Sequence, residues 1–189
     1  ESAWGCSMIP GERVRLRAFE IADAETVWRW YQDHEFSVLD GNIYGASLDT
    51  IRPFVQSMGS TSYADASFGI ETEEGVLIGL IRLKRGAPED RHADFGIAIE
   101  RAHWNRGYGT DATRTILQFA FEEMNLHRVS LRVLDYNTRA QRCYEKCGFR
   151  VEGRARQARF HDGAWCDWIL MGILQDEFVA PHQDQVTPG

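Results

Sequence analysis

The chain has 189 residues, 43% hydrophobic and 26% charged, a composition that fits one soluble globular domain with ample apolar material for a core. Its formal net charge of −7 argues against nucleic-acid binding by bulk electrostatics; it leaves room for a cationic substrate, or simply keeps the protein soluble. No apolar run approaches the roughly 18 residues of a spanning helix and no basic stretch followed by an apolar one opens the chain, so neither membrane nor secretion is expected and the reading is cytoplasmic.

Residues 1–7 differ from the rest and read as an expression scar before a natural start at Met8; residues 8–180 are taken as one domain and 181–189 as a frayed polar tail. Val14, Leu16 and Ala18 alternate with polar residues in a first strand. Asp23 then caps an amphipathic helix through Val27, Trp28 and Tyr31. A turn-rich break at 41–45 follows, and Ser47 or Asp49 opens a second helix with Ile51, Phe54 and Val55. Residues 67–71 and 76–83 form a hairpin around Glu73, Glu74 and Gly75. Residues 93–99 form a strand whose Phe95, Ile97 and Ile99 share one face. A helix with Ala112, Ile116, Phe119, Ala120 and Met124 comes next, then a strand at 129–134. Asn137 caps a helix holding Ala140, Cys143, Tyr144 and Cys147, and Gly148 stands where a left-handed terminus is needed. Strands at 151–160 and 165–174 close the chain around Asp162-Gly163, a strong hairpin turn. This order suits a mixed sheet with helices on both faces, an α/β (α+β) class, with the strand–helix–strand unit parallel. The four cysteines, Cys6, Cys143, Cys147 and Cys166, lack zinc spacing and read as reduced thiols, and no metal is expected.

The densest signal lies at 100–112, where a strand passes into a helix through a turn carrying Gly107 and Gly109. Such a turn leaves N–H groups unpaired at a helix start, a ready site for phosphate oxygens. A P-loop requires Lys-Ser/Thr after the last glycine, and Thr110-Asp111 stands there instead. Gly107, Gly109 and Ala112 formally satisfy the dinucleotide pattern G-x-G-x-x-A, and the strand after the helix ends at Asp135, where a ribose acceptor belongs. Against that reading, residues 100–106 intervene after the strand, and one strand–helix–strand unit is present where two are expected. The third reading is the diphosphate of coenzyme A, with Asn105 and Arg106 adding donors and glycine allowing close backbone approach. A plain turn is the remaining alternative.

A second constellation bears on the choice. Asn137, Ala140, Tyr144, Gly148 and Phe149 resemble the Asn-x-x-Ala-x-x-x-Tyr-x-x-x-Gly-Phe signature of the GNAT superfamily of N-acetyltransferases. Trp104-Asn105-Arg106-Gly107-Tyr108-Gly109-Thr110 resembles that superfamily's pyrophosphate loop, with Trp104 where Gln or Arg usually stands. That substitution is similar to the ribosomal-protein N-terminal and spermidine acetyltransferase branch, and Leu126-His127 and Phe160 to Gly163 with Asp167 resemble the spermidine enzymes. The resemblance spans about residues 14–178. It implies the GNAT fold: a mostly antiparallel mixed sheet, helices on both faces, and one parallel strand pair that splays apart.

What the resemblance further implies is chemical. Acetyl-CoA would wedge between strands 93–99 and 129–134, its arm pairing near Ile97, Ala98 and Ile99. Its pyrophosphate would lie on Asn105, Arg106, Gly107, Tyr108, Gly109 and Thr110, and Asn137 would meet the arm. Acetyl would pass directly to the primary amine of a small molecule or polyamine. A protein N-terminus, or binding without turnover in an acyl-CoA sensor, are the alternatives, and antibiotics are a further acceptor class. Tyr144 is the candidate proton donor to the leaving thiolate, and a strand N–H near Ile99 the oxyanion donor. Asp94 is the candidate base, with His92 and Glu100 weaker choices and Asp33, His34 and Glu35 near the acceptor. Trp165 and Trp168 read as core, and Arg154, Arg156 and Arg159 as a solvated edge. A homo-oligomer is compatible with the family.

Overall fold

The computed structural model describes residues 8–41, 45–59 and 65–180; the suggested scar, the tail and the centre of the break at 41–45 lie outside the described residues. Its strands are β1 (Met8–Pro10), β2 (Val14–Arg17), β3 (Asp65–Thr72), β4 (Leu77–Arg85), β5 (His92–Ile99), β6 (Arg128–Leu134), β7 (Arg150–His161) and β8 (Ala164–Leu174). Its helices are α1 (Ala24–Trp30), α2 (His34–Asp40), α3 (Leu48–Met58), α4 (Tyr108–Gln118) and α5 (Thr138–Lys146). Among the described residues the strands form one sheet in the order β1-β2-β3-β4-β5-β6-β8-β7. All neighbours are antiparallel except β5 and β6, which run parallel.

Local chemistry accounts for the punctuation. Asp162 and Gly163 both hold positive φ, 49° and 74°, the geometry of a two-residue turn whose twist matches its strands. Asn137 accepts the Ala140 N–H at 3.2 Å and starts α5, and Gly148 at φ 98° follows its end. Asp23 stands before α1, but its carboxylate serves Arg17 and the Glu20 N–H rather than the helix it precedes. One helix went unforeseen: α2, where Asp33 accepts the N–H groups of Glu35 and Phe36. Helix α4 continues as a π-helical turn, Phe119–Glu123, that buries Ala120 and Phe121.

Apolar side chains collect on both faces of the sheet. On one, Ile116 and Leu117 of α4 and Tyr144 of α5 pack over Phe95, Val129, Leu131 and Val133. On the other, Val27, Trp30, Phe36, Ile51 and Val55 of α1–α3 cover Leu77 and Leu80. No helix among the described residues is long and apolar enough to cross a membrane.

Glu71 of β3 is the main buried charge of the β2–β3 ladder. It is 8% exposed and accepts from Arg15 Nε and Arg17 Nε, each at 2.6 Å. Burial raises its pKa, but the two guanidinium hydrogen bonds outweigh burial and hold it below the ordinary 4.5. Glu71→Gln leaves Arg15 without its counter-charge and Arg17 with Asp23 alone, at a cost of about 2 kcal/mol, low for a buried pair because Arg15 reaches solvent and Arg17 keeps a partner. The lowered pKa means this contribution is complete above the unfolded-state value and is lost as pH falls through the folded-state one. Urea unfolding should therefore show a wild-type advantage at neutral pH that shrinks in acid.

Candidate active site

The site begins with backbone parity. Glu100 donates its N–H to Ile78 O at 2.8 Å and Gly86 donates to His92 O at 3.3 Å, which puts the even-numbered residues of β5 in hydrogen-bonded pairs with β4. Phe95, Ile97 and Ile99 then turn their N–H and C=O groups toward β6. Equivalent bonds, Gln175 N–H to His127 O and Asp135 N–H to Asp167 O, engage the odd residues of β6 with β8 and leave Arg132 and Leu134 facing β5. Yet β5 and β6 pair only at His92↔Arg128, Ala93↔Val129 and Asp94↔Ser130. Beyond Ser130 the strands part, and a cavity of about 850 Å3 opens between them.

The cofactor positions foreseen from the sequence converge on this cavity. Ile97, Ala98, Ile99, the run from Asn105 to Thr110, Asn137 and Tyr144 all line it. Ile97 and Ile99 present backbone groups to the fork; Ala98 meets the cavity through its side chain, because its backbone is engaged with Leu80. Gly107 sits at φ 84° immediately before α4. The first intrahelical bond recorded there is Asp111 N–H to Gly107 O, so the N–H groups of Tyr108, Gly109 and Thr110 have no helical acceptor and lie at the positive end of the helix dipole. The cradle is held rigidly. Asp111 accepts three backbone N–H groups, from Glu12, Arg13 and Val14, and Arg13 Nη1 donates to Arg106 O. Trp104, which departs from the usual Gln or Arg, donates its indole N–H to Ile99 O at 2.7 Å, and the Arg139 guanidinium lies over its ring. It ties the loop to the end of β5.

Sequence reasoning named Arg106 but missed two further cations on this side, Arg142 and Lys146. Arg142 and Lys146 line the cavity with Arg106, and none of the three forms an ion pair among the described residues. The signal was present, since Arg139, Arg142 and Lys146 fall at i, i+3 and i+7 on one helical face.

Tyr144 is set edge-on against Phe95 and Phe149, with ring centroids 5.8 and 5.9 Å away. Its hydroxyl has no hydrogen-bond partner among the described residues, although it belongs to the cavity wall. Burial pushes its phenol well above the ordinary 10, with Cys143 and Cys147 adding to the rise, so the proton stays on oxygen at neutral pH.

Asp94 is not brought to the cavity. It lies where β5 and β6 are still paired, its side chain 74% exposed, and it accepts from Ser130 Oγ at 2.9 Å. His92 shares that cluster, 2.7 Å from Ser130 Oγ, and Glu100 faces His103 Nδ1 at 3.1 Å. Asp33 and Glu35 sit beside Arg101, and His34 and Glu35 border a smaller adjoining cavity of about 420 Å3. Among the described residues lining the main cavity, the one carboxylate is Asp40 at the end of α2. Its side chain is 9% exposed, accepts from Tyr31 Oη at 2.6 Å and lies 3.7 Å from Arg82 Nη2. Burial raises its pKa, only partly offset by Arg82 and Tyr31. Trp168 and Arg159, read from sequence as core and solvated edge, also line the cavity, while Trp165 is 61% exposed. Arg154 pairs with Asp167 and Asp135.

Comparison with known proteins agrees with this geometry. The model of the acetyltransferase (GNAT) domain matches residues 13–150. Spermidine N(1)-acetyltransferase of Escherichia coli K12 is 32% identical over 191 residues, covering all of this chain and 94% of its own. The Bacillus subtilis protein named "Putative ribosomal N-acetyltransferase YdaF" is 31% identical over 88% of this chain and 94% of its own. The crystal structure of spermidine N-acetyltransferase from Vibrio cholerae in complex with CoA and spermine superimposes with a TM-score of 0.79 at 28% identity, covering 87% of this chain and 97% of the other.

Gly107 provides a direct test of the cradle. Gly107→Ala forces a Cβ into a left-handed backbone, at about 1–2 kcal/mol, and brings it 3.3 Å from Arg13 Nη1. Isothermal titration should show coenzyme A affinity falling about tenfold.

Proposed function

The chain belongs to the GNAT family of acetyltransferases, and on that premise we propose that it moves acetyl from acetyl-CoA to the primary amine of a small molecule by direct attack. The observation that carries this reading is the coincidence, in one cavity, of backbone groups of Ile97 and the Ile99 N–H left without a β6 partner, the α4 cradle and the buried phenol of Tyr144. Acetyl-CoA, when bound, supplies an activated thioester. Ile97 and Ile99 would hold its arm as an added strand, and Tyr108, Gly109 and Thr110, with Arg106, Arg142 and Lys146, its phosphates. Asn137 borders the arm's path. The Ile99 N–H faces the fork, where charge develops on the acyl oxygen, and Tyr144 serves as proton donor to the departing sulfur.

The acceptor must first lose a proton. A lysine-like amine, pKa about 10.4, is neutral in roughly one molecule in 10³ to 10⁴ at pH 7, equivalent to about 4–5 kcal/mol of barrier. We assign this step to Asp40, directly or through one water, rather than to Asp94. Asp40 borders the cavity and its raised pKa makes it a better base than an ordinary carboxylate. The spermidine enzymes among the relatives make polyamines natural first acceptors to assay, and the similarity to YdaF adds N-terminal peptides.

Thiol release from acetyl-CoA over a panel of amines tests the reading; coenzyme A binding with no transfer to any amine or peptide would indicate a sensor instead. Tyr144→Phe should lower kcat by about a hundredfold or more. Asp40→Asn should cost at least about tenfold more in kcat than Asp94→Asn and remove the acid limb of the pH profile; the reverse ranking returns the base role to Asp94.

A further inference from the structure

The cavity passes through the sheet, and its far mouth is walled by side chains that the cofactor half does not use. On β6, Leu131 and Val133 pack beneath α4, so Arg132 points to the opposite face. Trp168 of β8, paired with Leu134, points the same way. Arg159 joins them because the β7–β8 register shifts between Ala155 and Arg159, where Gln157 takes φ 50°, and Arg159 comes to lie opposite Cys166. Arg132 and Arg159 place their guanidinium carbons 5.1 and 5.7 Å from the centre of the Trp168 ring. Arg82 approaches from β4.

This arrangement is unbalanced. Three guanidiniums face a single carboxylate, Asp40, which is already engaged by Tyr31 and Arg82. Arg132 forms no ion pair among the described residues. Arg159 Nε and Nη2 are buried without any hydrogen-bond partner, although buried donors are nearly always satisfied. Two guanidiniums sharing one indole, with unmade hydrogen bonds between them, form a receptor for an anion rather than for a polycation.

The geometry points to an acceptor that carries an acid group, a carboxylate or a phosphate, on the same small molecule as its amine. Arg132 and Arg159 grip the acid beside Trp168 while the amine reaches the fork near Asp40. A polyamine brings extra positive charge to this mouth and is the poorer substrate. The inference rests on the amine-acetylation reading and narrows its substrate class.

The experiment measures thiol release by the wild-type protein with acetyl-CoA and four acceptors: 4-aminobutyrate, phosphoethanolamine, butylamine and spermidine. β-Alanine and 6-aminohexanoate bracket the span between amine and acid. An acid-bearing amine should exceed butylamine in kcat/KM by about tenfold or more, with spermidine below both. The better of the carboxylate and phosphate arms names the acid. Arg159→Gln and Arg132→Gln should each raise KM for that acceptor by about tenfold, with a smaller change in kcat. A melting temperature that still rises with coenzyme A shows that the variants fold. Fastest turnover with spermidine, or equal losses for cationic and acid-bearing acceptors in the arginine variants, overturns the proposal. Release with none of these amines overturns the amine-acetylation reading as well.

Discussion

The parting of β5 from β6 is the constraint on which the rest depends. Each strand is held firmly on its outer side, β5 by β4 and β6 by β8, and only three residue pairs join them to each other. Strand N–H and C=O groups inside a protein demand partners, so a sheet that splits midway is stable only where water or a ligand completes it. An extended, amide-bearing arm is suited to that gap because it restores the missing ladder.

The sheet separates two tasks. On the α4–α5 side the field is made by a helix start and by Arg106, Arg142 and Lys146; on the α2 side it is made by arginines around Trp168, opposed by Asp40. Both mouths are cationic in a chain whose formal charge is −7. Net charge governs solubility and long-range encounter, whereas a recessed site reads the few charges that line it.

Most of the architecture was legible because it is locally encoded. Turn residues with positive φ mark both hairpins and the end of α5, and alternation marks the strands. The cradle could be read from Gly107 and Gly109, and the placing of Tyr144 from its spacing after Asn137. What escaped depends on tertiary context. Helix α2 has seven residues with Phe36, Ser37 and Val38 buried in succession, a run that shows no helical period. Asp40 looks like an ordinary polar helix end until Tyr31 and Arg82 are folded against it. Asp94 escaped as well, because alternation along β5 does not reveal how far that strand stays zipped to β6. Arg159 was misjudged for a different reason: the β7–β8 register slips by two residues between Ala155 and Arg159, which sets Arg159 opposite Cys166 and closer to Trp168, and nothing in the sequence of β7 announces that slip.

Asp111 has a wider consequence. By collecting the amides of Glu12, Arg13 and Val14, it fastens the first turn of α4 to the opening of β2, about a hundred residues earlier in the chain. The turn proposed to bind phosphate is therefore no autonomous motif that can form on a half-finished polypeptide. Its competence is bound up with the sheet's outer margin, so that loosening at that margin and loss of the anion clasp are one cooperative event, and occupancy of the clasp in turn protects a distant border of the protein from opening.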